Sequence, residues 1–138
     1  KYLTLFIAVA DLEKKQLFYV NAGHIPPLLI KGNRCIELKA TCTIIGHFEE
    51  LPEISEGIIE LNEDCILVAF TDGLVDTKDK FGKNYTIEML KDHILKNNNF
   101  SAEKLAQSIM AEVINFSKEA EIPDDIAILN FKYFNHEK

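Results

Sequence analysis

A β-strand presents its side chains alternately to two faces, so a strand that is apolar at consecutive positions needs cover on both. Cys65 to Phe70, CILVAF, is such a strand, and Tyr2 to Ala10, YLTLFIAVA, is another, broken only by Thr4. A chain with two of them must stack layers on either side of a sheet. Tyr2 to Ala10 is therefore expected inside its sheet, with neighbours on both sides. Asp11 to Gln16 is polar and Leu17 to Ala22 apolar again, which predicts a hairpin. A domain that opens directly on its most buried strand is the pattern expected of a chain cut from something larger, because domain ends usually fall on exposed polar segments.

The remaining elements follow from local signals. Gly23-His24-Ile25-Pro26-Pro27 ends the second strand, since paired prolines neither continue a helix nor donate to a ladder. Leu28 to Lys31 and Arg34 to Leu38 flank Gly32-Asn33, a two-residue hairpin signal. Thr41 to Pro52 has no clean period and reads as loop with a short strand through Thr43-Ile44-Ile45. Gly57 to Leu61 is a strand, followed by a turn at Asn62-Glu63-Asp64. Ile87, Leu90 and Ile94 mark a helix over about Tyr85 to Lys96. Ser101 is placed to cap a second helix, with Phe100 and Leu105 as its hydrophobic staple and Leu105, Ile109, Val113 and Phe116 on one face. After the acidic loop Glu119 to Asp125 comes a last strand, IAILNFKYF. Strands first and helices late predict an α+β sandwich rather than alternating βαβ units.

With 138 residues the chain is one small domain or a piece of one. The net charge is −7 and Arg34 is the lone arginine. That excludes an arginine-clamp phosphate site and disfavours nucleic acid, which is bound through a basic face. Cys35, Cys42 and Cys65 are odd in number and show no C-x-x-C spacing, as expected of reduced cytoplasmic thiols rather than a disulfide or zinc framework. No apolar run reaches the ~18 residues of a membrane span, so no membrane contact is expected from this segment.

Two carboxylate positions stand at strand ends. Asp72 closes the CILVAF strand ahead of Gly73, and Asp124 and Asp125 precede the last strand. Carboxylates at neighbouring strand ends can converge on a hard cation such as Mg²⁺ or Mn²⁺; Asp is also a common turn residue. Asp76 and Asp79 read as turn residues, and Lys78, Lys80 and Lys83 as solvated loop lysines. Asn21 and His24 are expected to tie their turn together by hydrogen bonds, with the His24 ring beside an active-site edge as the functional option and no zinc role. His47, His93 and His136 carry no assignment. Thr71-Asp72-Gly73 also looks like an aspartyl-phosphate phosphatase signature, but that chemistry needs a nucleophilic Asp where this chain has Phe70.

Taken in order, Asn21-Ala22-Gly23-His24-Ile25-Pro26-Pro27, Phe70-Thr71-Asp72-Gly73-Leu74-Val75-Asp76, Phe81-Gly82 and Asp124-Asp125-Ile126-Ala127-Ile128-Leu129 resemble the SpoIIE/RsbU-type members of the PP2C-like (PPM) metal-dependent serine phosphatases. The resemblance covers essentially residues 1–138 and implies the C-terminal part of such a domain. It implies an α-β-β-α sandwich of antiparallel sheets, incomplete at the N-terminus, and two Mn²⁺ or Mg²⁺ ions in the complete domain. By similarity Asp72 and Asp124 are the catalytic, metal-holding carboxylates, with Gly73, Asp125, Asn21 and His24 at the rim. Two divalent ions would neutralise those carboxylates, orient a phosphoryl group and activate water, so no side-chain nucleophile is needed.

The implied activity is hydrolysis of phosphoserine or phosphothreonine on an anti-sigma-factor antagonist, in bacterial stress or sporulation signalling, under an upstream sensor or regulatory domain. The family usually has Thr where this chain has Ala127. Family members also carry an upstream Gly-Asp-x-x-Asp type segment whose carboxylate bridges both metals, and no such segment lies between Lys1 and Phe70. The fragment alone is therefore expected to be inactive, and uncovered apolar sheet surface favours a homodimer. The alternative is a non-catalytic regulatory or protein-interaction domain on the same scaffold.

Overall fold

A computed structural model describes residues 1–50, 53–118 and 124–135. Pro52, the Glu119 to Pro123 part of the acidic loop, and His136 lie outside the described residues. Two antiparallel sheets stack face to face. One holds β1 (Leu5–Asp11), β2 (Gln16–Ala22) and β5 (Gly57–Glu60) in the order β1-β2-β5; the other holds β3 (Leu28–Lys31), β4 (Arg34–Glu37), β6 (Cys65–Phe70) and β7 (Ile128–Tyr133) in the order β4-β3-β6-β7. Three helices follow β6: α1 (Gly73–Asp76), α2 (Ile87–Lys96) and α3 (Ala102–Ser117). The α+β class and the antiparallel sandwich are as the sequence predicts.

Alternation along β3 and β6 divides the core in two. Leu28 and Ile30 on β3, with Ile66, Val68 and Phe70 on β6, point to the helices and meet Leu74, Tyr85, Leu90, Ile94, Leu105, Ile109 and Val113. Leu29, Cys65 and Leu67 point the other way and meet Leu17, Leu38 and Leu61 between the sheets. That is why CILVAF has no polar face. Each such leucine, once fully buried, contributes on the order of 1.5–3 kcal/mol of transfer free energy.

Local signals set the element ends. Lys31 pairs with Arg34 across Gly32-Asn33, and Gly32 takes φ +53° at the first turn position, where a type II′ turn favours glycine. The Thr86 side chain accepts from Met89 N at the start of α2, and the Ser101 side chain from Lys104 N at the start of α3. Lys132 of β7 donates from Nζ to the Asn98 and Phe100 carbonyls, fastening the α2–α3 connection to the sheet.

Two expectations are corrected. β1 pairs with β2 through the full Leu5↔Ala22 to Asp11↔Gln16 register, yet it is an edge strand, not an interior one. On the sheet's outer face Ile7 and Val9 are 51% and 60% exposed. The apolar pattern of β1 reports a surface suited to burial, and the described residues cover only its inner face, carried by Phe6, Ala8 and Ala10. Second, Thr43 to Ile45 form no strand: Ile45 makes a single bridge to Leu3. The helix expected over about Tyr85 to Lys96 is α2, with the buried Tyr85 side chain just ahead of the Thr86 cap. The short α1 has too few residues to leave a periodic signal.

Candidate functional site

β6 and β7 run antiparallel, with Phe70 opposite Ile128, so the chain leaving β6 and the chain entering β7 meet at one end of the sandwich. Thr71 joins them. Its backbone N–H donates to the Ala127 carbonyl at 3.1 Å, its hydroxyl donates to the Asp125 carbonyl at 3.0 Å, and the same oxygen accepts from Ala127 N at 2.9 Å. The hydrogen bonds at Ala127 are backbone ones, so a Thr side chain is not needed there to hold the two segments together.

Gly73 then lets the turn close. A Cβ at this position would lie 2.6 Å from the Asp125 carbonyl oxygen, closer than side chains come to backbone, and a tight 3.1 Å from that of Asp124. The segments bearing Asp72 and Asp124–Asp125 are thereby brought together across more than fifty positions of sequence. Both carboxylates are exposed. Asp72 caps α1, accepting from Gly73 N at 3.1 Å through one oxygen, and Asp124 accepts from Asp125 N at 2.8 Å, also through one. Among the described residues, the second oxygen of each has no hydrogen bond and remains able to meet a hard cation. Two carboxylates fit part of a hydrated Mg²⁺ or Mn²⁺ shell. No group of three or more His, Cys, Asp or Glu gathers to hold a metal among the described residues.

Gly23 to Pro27 runs into β3 at the same end, because Leu28 pairs with Val68 near the close of β6. Asn21 is fully buried: its Nδ2 donates to the Leu38 carbonyl at 2.9 Å, and its Oδ1 accepts from His24 N at 2.8 Å. His24 Nδ1 lies 3.4 Å from Thr4 Oγ1. This pair ties the turn, as expected. Asp79 serves its own loop, accepting from Phe81 N and Lys83 N at 2.9 Å each. Burial pushes the Cys35 and Cys65 thiols up, which disfavours thiolate chemistry at either.

Two features escape the sequence reading. Thr71 carries the link between the two acidic segments, and its only local signal is its place between a buried strand and Asp72. His93 carries a polar cluster with Glu112, Ser108 and Tyr85; the spacing of Ser108 and Glu112 by four on α3 puts them on one helix face, but nothing local to α2 points there.

The model of the family described as Stage II sporulation protein E (SpoIIE) matches residues 1–134. The chain is 35% identical over 94 residues to the phosphoserine phosphatase RsbP of Bacillus subtilis, covering 67% of this chain and 22% of that protein. It is 30% identical over 136 residues to protein IcfG of Synechocystis, covering 93% of this chain and 20% of that protein. The chain thus spans about a fifth of these curated relatives. Its fold matches the SiaA-PP2C domain of Pseudomonas aeruginosa with a TM-score of 0.84 at 20% identity, over 96% of this chain and 52% of that one.

Proposed function

The chain belongs to the SpoIIE family, the RsbU-type branch of PP2C-like phosphatase domains, and from that premise we propose that its parent protein is a metal-dependent serine/threonine phosphatase. The observation that carries this reading is the approach of the Asp72 turn to Asp124–Asp125, closed by Thr71 and by the missing side chain of Gly73. Asp72 and Asp124 would hold Mn²⁺ or Mg²⁺ through the oxygens left over from their backbone bonds. When bound, such ions supply the positive charge that polarises a phosphoryl group and activates water. The chain cannot supply that charge from arginine, since Arg34 sits on β4 and pairs with Glu63.

Thr71 and Gly73 hold the two segments in register, and Asp125, Asn21 and His24 frame the same end of the sandwich. The substrate class we propose is a phosphorylated protein of the anti-sigma-factor-antagonist type in the cytoplasm, with an upstream sensor or regulatory domain in the parent. The phosphoserine activity named for RsbP supports the reaction type.

A second reading, a regulatory or interaction domain without catalysis, is favoured by the absence of a gathered three-ligand cluster among the described residues. One assay separates the two. Parent and 138-residue chain are compared on a phosphoserine peptide with millimolar Mn²⁺, each with and without Asp72→Asn. We expect turnover by the parent that falls by at least about a hundredfold in the variant, and none by the isolated chain. A parent that is inactive with any divalent ion would establish the regulatory reading.

A further inference from the structure

Outside the Asp72 end of the sandwich, the most connected group of ionisable side chains lies in the helical layer. Glu112 Oε2 on α3 accepts from the Tyr85 hydroxyl at 2.9 Å and lies 2.5 Å from His93 Nδ1 on α2. His93 Nε2 lies 3.0 Å from Ser108 Oγ, and that hydroxyl is 2.8 Å from the Leu105 carbonyl. The order Ser108, His93, Glu112 has the outline of a hydrolytic triad. It lacks the chemistry, because Ser108 sits in the middle of α3, where backbone N–H groups are taken up by the helix and none is left to stabilise an oxyanion.

Proton bookkeeping gives the cluster another role. If the single Ser108 proton goes to Leu105, both ring nitrogens of His93 must carry protons, one facing Glu112 and the other Ser108. This is an imidazolium–carboxylate pair with every donor used. If His93 loses a proton, the Nδ1–H bond to Glu112 survives, the charge is lost, and the Ser108 hydroxyl must turn from Leu105 to Nε2. Burial, with the hydrogen bond and charge of Glu112, pushes the Tyr85 phenol far above its ordinary range, so Tyr85 stays a donor throughout. Among the described residues, the ionisable groups joined to His93 are Glu112 from α3 and, across the shared oxygen, Tyr85 from the segment ahead of α2. Glu112 also lines a groove of about 380 Å³ with Lys80 and Lys118.

The other end of the chain of bonds reaches the candidate site. Tyr85 N donates to the Thr77 carbonyl at 2.8 Å, and the fully buried Thr77 hydroxyl donates to the Gly73 carbonyl at 2.8 Å. Gly73 is the first residue of α1, the helix that Asp72 caps.

We propose that His93, Glu112 and Tyr85 are positioning residues: a protonation-dependent brace between α2 and α3 that holds the Thr77–Tyr85 segment, and through it α1 and the Asp72 turn, in place. The brace is tight when His93 is protonated and looser when it is neutral. Its consequence for metal holding rests on the proposed function above; its existence does not, and the test below involves neither metal nor turnover.

The test is backbone amide exchange by NMR on the 138-residue chain from pH 5.5 to 8.5, corrected for intrinsic exchange, with the His93 ring nitrogens followed in parallel. Protection at Gly73–Thr77 and Tyr85 should fall about three- to tenfold as the His93 ring loses its proton, the usual difference between charge-assisted and neutral hydrogen bonds. His93→Gln should remove that dependence. Tyr85→Phe, which keeps the buried ring, should give the low protection at both ends of the range. Flat protection in the unsubstituted chain, a pH dependence that persists in His93→Gln, or unsubstituted behaviour in Tyr85→Phe would each overturn the brace.

Discussion

Strand β6 is flanked by β3 and β7 and covered on both faces, whereas β1, among the described residues, is bonded along its length to β2 alone and leaves Ile7 and Val9 more than half exposed. The two are close in length and composition. What separates them is the number of layers around them: β6 lies between two cores, and β1 touches one. An apolar strand therefore states which surface is suited to burial and leaves open which surface the same chain buries. A three-stranded sheet with one bare apolar face is a surface prone to association.

The same substitution placed in both strands should have the most unequal effects. Val68 is fully buried and Val9 is 60% exposed. Val68→Ala should cost about 2 kcal/mol in denaturant unfolding, and Val9→Ala should stay within about 0.5 kcal/mol. Equal costs would mean that β1 is covered in solution, for instance by a second copy.

Legibility follows the same division. The Gly32-Asn33 turn, the Ser101 cap and the two-sided apolarity of CILVAF are decided within a few residues, and they are readable. The edge position of β1 depends on which strands pair, and the failed strand at Thr43–Ile45 on a lack of partners. The Asp72 turn is legible as a strand end followed by glycine. Its closeness to Asp124 is suggested by their two strand ends and by the resemblance, but the contact that makes it, from Thr71 and Gly73 to carbonyls more than fifty positions away, has no local signal. The His93 cluster is less legible still, since His93, Ser108 and Glu112 are ordinary polar residues of two helices and Tyr85 lies ahead of the first of these.

The second expected effect concerns association. If the bare face of β1 draws copies together, sedimentation should show concentration-dependent association. Ile7→Lys with Val9→Lys should then weaken it by about tenfold or more, since lysine on an edge strand opposes pairing. A chain that stays monomeric at high concentration before substitution would separate exposure from stickiness.

The smallest effect is at the turn that holds β1 to its one neighbour. The Lys14 backbone N–H, 2.9 Å from Asp11 Oδ1, holds the Asp11 carboxyl below its ordinary value. A carboxylate whose folded pKa is depressed adds stability above its unfolded pKa of about 3.9, lost as pH falls through the lower folded value. The Tm advantage over Asp11→Asn should therefore be small at pH 6 and close toward pH 2; an advantage that grows in acid would reverse the assignment.

Gly73 sets a mechanical tolerance. With the Asp125 carbonyl 2.6 Å from where a Cβ would stand, the two acidic segments leave no room for a side chain, and the glycine acts as a shim of zero thickness. Any thicker shim would push Asp124 and Asp125 outward and pull on the Thr71 bonds that close the joint. The spacing of the two acidic segments is thus gauged by an absent side chain, not by either acid itself.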